Sequence, residues 1–518
     1  MQEEAEFGPC LLRLWIDCAA ERDPNKAYIV SVDDGRVLSY GQLHRLTAQI
    51  AALLARRGIR ANDRIALLAG NSIEHLVCYL AVMAYGATIC TIHVEMNRTH
   101  LARILPNLNP RLAVFDPGLQ LEDVLAESGT TCLPLGTIDD TDGESFYRAV
   151  ADSEPSGVPL AGVRPRDDAC ILFTSGTSAR PKGVILTFRE LLANVEPTAN
   201  GIGLTADDRI YDFRSFNWCS AQVLSALAPL NRGATLILGR KFTRSQYFQN
   251  VADYGATITA GNPTTLNMLL NGDGPADAKA FPSLRFVISS SAPLLSEDWR
   301  RFEKRFAIPV AQSYGCSEIG WIATNPGAAR RFETVGKPAP YLNLTIVDDR
   351  GQPMPVGKLG QVEVGCFADN DYRYLADDGG IEVHSHGRYR VGDIGFLDED
   401  GYLHISGREK DLIIRGGVNI SPLEIDSVLL QRPEVIEAAT VGVPDGTYGE
   451  EVVSFIVARA GASIDADEIL RYCGRFLPAS KTPKRIVLSE HLPKTARGKL
   501  DRKALADQWV NSLRTALA

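Results

Sequence analysis

Apolar positions along this chain follow two alternating rhythms, a helical spacing of about 3.6 residues and short, nearly continuous apolar runs. Gly41 to Arg57 has the helical spacing and ends at Gly58, after which Arg64-Ile65-Ala66-Leu67-Leu68 reads as a buried strand. The longest nearly apolar run, Val77 to Ile92, reads as a buried helix that turns at Gly86 into a buried strand. Phe188 to Ala199 resumes a helix, and strand-like runs follow at Ala234 to Leu238, Ala256 to Thr259, Arg285 to Ile288 and around Val310. Alternation of this kind predicts an α/β fold in which parallel sheets are covered by helices on both faces, here as two doubly wound αβ subdomains.

The rhythm changes from Gly336 to Gly407, where short strands cut by Gly and Asp turns predict a small β-barrel-like subdomain. Beyond Asp411 a separate small α+β domain is expected. Its strand Leu412-Ile413-Ile414 breaks at Gly416-Gly417, and Ser421-Pro422-Leu423-Glu424 reads as a capping box with proline at the first helical position. Strands at Val435 to Val443, Glu451 to Ala458 and Arg485 to Leu488 and a helix at Ala466 to Phe476 complete it. These patterns divide the chain into a large domain, 1–409, and a small domain, 410–518.

With 518 residues the chain is too long for one core, so several domains are expected in any case. A net charge of −9 argues against broad electrostatic binding to nucleic acid. The acidic start, Met1-Gln2-Glu3-Glu4, lacks a secretory pattern, which places the protein in the cytoplasm. No apolar run reaches the roughly 18 to 20 residues of a membrane span. The 10 cysteines are scattered without a CxxC pair, so neither a disulfide framework nor a zinc site is indicated. Among the 8 histidines only His384-Ser385-His386 is a close pair, and it reads as an exposed hairpin.

Six stretches bear on candidate chemistry. The loop Thr174-Ser175-Gly176-Thr177-Ser178-Ala179-Arg180-Pro181-Lys182-Gly183 follows a strand and combines small residues, hydroxyls and a compact cation, a composition suited to a polyphosphate. Asp212 to Gln222 interleaves aromatic residues with Asn217 and Gln222, as an acyl pocket would. The strand ending in Ser289-Ser290-Ser291-Ala292-Pro293 leaves a flat ledge, against which a purine can stack. Gln312-Ser313-Tyr314-Gly315-Cys316-Ser317-Glu318 offers a hard carboxylate ligand for Mg²⁺. In Tyr389-Arg390-Val391-Gly392-Asp393 the aspartate is suited to two ribose hydroxyls. The run Pro493-Lys494-Thr495-Ala496-Arg497-Gly498-Lys499 is a basic loop on an acidic protein, which by itself reads as a solvated face.

In this order and spacing, the Ser/Thr/Gly loop with Pro-Lys-Gly, Tyr-Gly-Cys-Ser-Glu, Tyr-Arg-Val-Gly-Asp, Gly-Arg-Glu-Lys-Asp and Pro-Lys-Thr-Ala-Arg-Gly-Lys resemble the ANL superfamily of adenylate-forming enzymes. The resemblance runs from about Leu38 to Lys503 and lies closest to the acyl-CoA synthetase branch. It implies that a carboxylate attacks ATP to give acyl-AMP and pyrophosphate, and that CoA then displaces AMP. It further implies that Thr174, Ser175, Gly176, Thr177, Ser178 and Lys182 hold phosphate together with Ser317, and that Glu318 binds Mg²⁺. Ser291, Ala292, Pro293, Gln312, Ser313, Tyr314 and Gly315 would surround adenine and ribose with Asp393 and Arg408. Lys499 would bridge carboxylate and α-phosphate. The acyl pocket would draw on Asn217, Trp218, Gln222, Gly315 and Cys316. The small domain would swing about Lys410, bringing Gly416 and Gly417 to a CoA tunnel.

Three positions depart from the pattern the resemblance implies. Ala179 and Ser290 stand where glycine is usual, and spacing to Gly233 places Trp218 where a histidine commonly lines the acyl pocket, which points to a cyclic or aromatic acid. A stand-alone adenylating enzyme serving a carrier protein or partner acyltransferase is the alternative activity, and a homodimer is a further expectation. Amino-acid activation is disfavoured because Phe213 to Leu227 has no acidic residue to anchor an ammonium group. A silent binding protein is disfavoured by the joint presence of Lys182, Glu318, Asp393, Arg408 and Lys499, and luciferase-like oxidation has the weaker claim.

Overall fold

In a computed structural model of the chain, the described residues are 8–94, 96–140, 143–155, 162–174, 182–272, 281–327, 330–495 and 499–517. Local signals start and stop the helices where the apolar spacing places them. Ser39 opens the helix Tyr40–Arg56 with a reciprocal cap: its side chain accepts from the Gln42 N–H, and its own N–H donates to Gln42 Oε1 at 2.7 Å. The buried helix Ile73–Tyr85 stops at Gly86, whose φ of 102° is open to glycine at no steric cost, and the strand Thr88–Thr91 follows.

Two large sheets form the body of the protein. In one, Phe286–Ser289 runs parallel between Ile258–Gly261 and Val310–Cys316, and Ile258–Gly261 in turn pairs with Arg209–Asp212. In the other, Arg64–Leu68 lies parallel between Thr88–Thr91 and Leu112–Phe115, while Asp168–Thr174 pairs antiparallel with Lys182–Thr187. One contiguous core, including Tyr79, Phe188, Phe216 and Trp321, packs helices between the sheets. This is the layered α/β arrangement expected from the alternation.

Two details differ from the sequence reading. The helix expected from Phe188 to Ala199 is split into Phe188–Ala193 and Val195–Gly201. At the break, Asn194 Nδ2 donates to the Trp321 carbonyl at 2.9 Å and its Oδ1 accepts the Trp321 N–H at 2.9 Å, acting as a strand partner for the neighbouring sheet. Between Gly336 and Gly407, Asn343–Val347, Gly360–Gly365, Tyr389–Leu397 and Leu403–Arg408 make a four-stranded antiparallel sheet, but Asp371–Leu375 and Ile381–His386 leave it to extend the eight-stranded sheet. His384, Ser385 and His386 lie on the outer strand of that hairpin.

The four-stranded sheet ends at Arg408, and a turn at Glu409–Asp411 leads into a five-stranded sheet with its own core around Ile413, Ile420, Ile425 and Leu429. The helix Pro422–Leu429 begins at Ser421 as expected, yet the capping box is absent: the Ser421 hydroxyl donates instead to the Ser406 carbonyl, and Glu424 pairs with Lys481 at 2.7 Å. A side chain that would cap its own helix therefore ties it to the last strand of the larger body. Leu295 packs against the small domain's core, and Gln361 Nε2 donates to Glu409 Oε1 at 2.8 Å.

Asp298 sits in the first turn of the helix Ser296–Phe306, at this junction. Burial pushes its carboxyl up to about 6; Arg301 opposes the shift, and Glu297 and the small domain's Glu437 add to it. A raised value in the fold means that stability is fully present below the carboxyl's unfolded value and is lost as pH rises through about 6. Asp298→Asn is therefore expected to stabilise the protein by about 1 to 3 kcal/mol at pH 8, with the gain shrinking towards pH 4.5, as read by urea unfolding at both values.

Candidate functional site

Strands that run parallel end at a common edge, and in open α/β sheets the crevice beyond those ends is where ligands sit. Here the ends of Phe286–Ser289 and Val310–Cys316 open into a cleft of about 1800 Å³ that the four-stranded sheet and the small domain close from the other side. Trp218, Ser290 to Pro293, Gln312 to Glu318, Asp393, Arg408, Lys410 and Lys499 all line it. Residues scattered over almost 300 positions are thus brought to one place.

The ledge after Phe286–Ser289 contains Ser291 at φ 73°. For a residue with a Cβ that conformation costs on the order of 1 kcal/mol, and such strain tends to persist where a backbone surface must be held flat for a ligand. Next to it, Gly315 is a packing requirement: a Cβ there would lie 2.2 Å from the Gly320 carbonyl oxygen of the antiparallel partner strand. Behind the ledge, Arg214 and Asp212 form a fully buried ion pair at 2.7 Å, and Arg214 Nη1 donates to Ser290 Oγ at 2.9 Å.

Asp393 is the most constrained group in the cleft. Its Oδ2 accepts the Tyr314 hydroxyl and its Oδ1 faces Arg408 Nε at 2.7 Å, a pairing imposed by the register of the two strands that place Asp393 opposite Arg408. Burial raises the Asp393 carboxyl, while Arg408, Tyr314 and Lys499 pull it down. Desolvation within the cleft favours the neutral form of Arg408, but Asp393, Tyr314, Cys316 and Asp411 together outweigh it and its value is raised. Burial lowers the adjacent Lys410.

Lys499 reaches this field from the small domain. Its backbone is fastened to Thr495, whose N–H donates to the Lys499 carbonyl at 2.7 Å and whose Oγ1 accepts the Lys499 N–H at 3.2 Å. Arg502 anchors the segment through Asp426 at 2.6 Å and the Thr440 carbonyl at 2.7 Å. Among the described residues of the basic run, the last lysine lines the cleft beside a buried carboxylate.

On the phosphate side, Thr174 and Lys182 are partners at the ends of two antiparallel strands. Ser175, Gly176, Thr177 and Ser178, together with Ala179, lie outside the described residues. The Lys182 ammonium stands over the Tyr374 ring, 5.2 Å from its centroid, and the Tyr374 hydroxyl donates to Glu318 Oε1 at 3.0 Å and meets the Tyr389 hydroxyl at 2.7 Å. Burial, with the Glu318 charge adding to it, pushes the Tyr374 phenol up, so it remains a donor across the physiological range. Sequence reasoning missed Tyr374, since the alternation in Asp371-Tyr372-Arg373-Tyr374-Leu375 signals only a strand. Among the described residues no group of three or more His, Cys, Asp or Glu gathers that would hold a metal ion by itself.

Three further expectations can be placed. Asn217 and Gln222 do not line the cleft: Asn217 Nδ2 donates to the Ala69 carbonyl at 3.1 Å, and Gln222 Nε2 donates to the Phe216 carbonyl at 2.7 Å and to Thr91 Oγ1 at 3.1 Å. Their amides pin the aromatic segment from within, because a buried amide must satisfy its donors wherever the backbone offers acceptors. Trp218 does line the cleft, its ring stacked on His93 at 5.6 Å between centroids. Gly416 and Gly417, both at positive φ, form a turn that does not line it.

Comparison with known proteins agrees with this geometry. The AMP-binding enzyme family matches residues 16–365, and the AMP-binding enzyme C-terminal domain matches residues 424–499. The chain is 33% identical over 491 residues to a sulfoacetate–CoA ligase of Cupriavidus necator, covering 93% of this chain and 94% of that protein. It is 30% identical over 513 residues to an oxalate–CoA ligase of Arabidopsis thaliana, covering 96% and 98%. ATP-bound MatB from Rhodopseudomonas palustris has a similar structure, with a TM-score of 0.86 at 27% identity over 96% of this chain and 99% of that one.

Tyr374→Phe keeps the ring beneath Lys182 and removes the hydrogen bond to Glu318. If Glu318 holds Mg²⁺, the change is expected to weaken Mg²⁺-dependent ATP binding by about tenfold while leaving binding of ATP without Mg²⁺ nearly unchanged. Calorimetric titration with and without the metal checks this, and Tyr374→Ala, which also removes the platform under Lys182, is expected to weaken both.

Proposed function

The chain belongs to the AMP-binding enzymes of the ANL superfamily, and from that premise we propose which residues carry out its two half-reactions. It is an AMP-forming acid–CoA ligase: a carboxylic acid is activated by ATP to acyl-AMP with release of pyrophosphate, and the acyl group then passes to the thiol of CoA. Delivery to a carrier protein is not favoured. No helix among the described residues is long and apolar enough to cross a membrane, and the compartment we assign is the cytoplasm.

In the first half-reaction a carboxylate oxygen attacks the α-phosphorus, and the bond to the oxygen bridging towards the β-phosphorus breaks. Two anions must approach, so positive charge is needed where they meet. Lys499 supplies it, and the observation that carries this assignment is that Lys499 lines the same cleft as Ser291, Tyr314 and Asp393 and lowers the Asp393 carboxyl through space. Asp393 and Arg408 take the ribose, the ledge Ser291 to Pro293 and Tyr314 take adenine, and Thr174 to Ser178, Lys182 and Ser317 take the phosphates.

Glu318 fits Mg²⁺, as an oxygen donor on the cleft wall held in one orientation by Tyr374. Mg²⁺ bound there would neutralise charge on the β- and γ-phosphates. In the second half-reaction the CoA sulfur attacks the acyl carbonyl, and AMP leaves from it. We assign the hinge for the intervening rotation to Lys410, in the turn Glu409–Asp411 between the two domains, with Gly416 and Gly417 moving to the thiol's path.

Lys499→Ala is expected to reduce ATP–pyrophosphate exchange by about 100- to 1000-fold while ATP affinity changes little and thioester formation from supplied acyl-AMP survives; normal exchange would remove Lys499 from the mechanism. Lys410→Pro is expected to preserve exchange and lose thioester formation from added acyl-AMP, and equal loss of both would contradict the hinge.

A further inference from the structure

The ledge serine that replaces the usual glycine is wired to a buried cation. Ser290 is only 3% exposed yet lines the cleft, and Arg214, which does not line it, lies directly behind. Asp212 engages Arg214 Nε and Nη2, at 3.0 and 2.7 Å, and Ser225 donates to Asp212 at 2.6 Å, so the carboxylate is satisfied on the far side. The guanidinium nitrogen left over, Nη1, is the one on Ser290 Oγ. The ion pair thus presents its positive end to the ledge.

A hydroxyl oxygen that accepts an N–H has its own proton directed elsewhere. Ser290 Oγ donates to no acceptor among the described residues, which leaves its proton for the cleft. Accepting from a guanidinium also makes that O–H a stronger donor, because hydrogen bonds in a chain polarise one another at low dielectric. A buried ion pair is often no more stabilising than apolar residues of similar volume, so packing alone does not account for this one. A purely apolar acyl group against this wall would leave the donor unsatisfied, whereas an oxygen on the substrate would complete the chain.

We propose that the acid carries, beside its reacting carboxylate, a second oxygen acceptor such as a carboxylate, sulfonate or carbonyl, and that Ser290, positioned and polarised by Arg214, is the specificity-determining residue that reads it. This rests on the assignment of the cleft to an acid–CoA ligase and narrows its substrate class away from unsubstituted fatty or benzoic acids. The sulfoacetate– and oxalate–CoA ligases, at 33% and 30% identity, are named for acids of this kind.

The test uses acids paired by shape: sulfoacetate with tert-butylacetate, malonate with isovalerate, and terephthalate with 4-isopropylbenzoate, each assayed for acyl-CoA formation by the full-length enzyme. The wild type is expected to prefer the oxygen-bearing member of at least one pair. Ser290→Ala is expected to cut that preference, as a ratio of kcat/KM values, by about 10- to 100-fold, mainly through KM for the acid. Asp212→Asn/Arg214→Met, which removes both charges and nearly conserves volume, is expected to erode the same ratio with Ser290 in place. A wild type that favours the apolar member of every pair, or a Ser290→Ala ratio equal to the wild type's, overturns the inference and leaves the ligase assignment standing. Absence of thioester with every acid counts against both.

Discussion

A carboxylate taken out of water must be paired, and the pairing of Asp393 holds the cleft together. Its partners come from different parts of the fold: Tyr314 from the end of a strand in the largest sheet, and Arg408 from the last strand before the turn that leads to the small domain. Losing either would leave a buried charge short of a partner, a situation far more costly than an exposed ion pair is worth. The same carboxylate lies in the field of Lys499, so the small domain acts electrostatically on the cleft.

The phosphate side of the cleft has a parallel device. Tyr374 belongs to a strand that leaves the four-stranded sheet to join the eight-stranded one, and that change of sheet puts its hydroxyl on Glu318 and its ring under Lys182. Glu318 and Lys182, to which we assign the metal and the phosphates, are therefore spaced by one aromatic side chain. On the acyl side, the Asp212–Arg214 pair does the equivalent work for Ser290. In each region the group facing the ligand is oriented by a buried partner that sequence motifs do not mark.

Much of this was legible in the chain. The helix Tyr40–Arg56, the Gly86 turn and the sheet-forming runs follow from apolar spacing and from caps that act within a few residues. The order of five motifs implied one nucleotide site, and Lys499, Glu318, Asp393 and Arg408 do line one cleft. Where the reading departed from the structure, a distant partner had intervened. Ser421 gives its hydroxyl to Ser406 in place of its own helix, Asn194 interrupts a helix to pair with Trp321, and the amides of Asn217 and Gln222 are spent on buried backbone carbonyls and on Thr91.

What the sequence determined by itself is whatever depends on neighbours along the chain: where helices begin and end, which segments are strands, and which residue types offer chemistry. Only the tertiary structure decided which of those residues face the same space. A polar side chain has several possible partners at similar local cost, and the choice among them is made by strand register and by the packing of one domain on another. That is why Lys499, which reads as an ordinary basic loop when taken alone, becomes the cation of a buried cleft, and why a serine at position 290 acquires an arginine behind it.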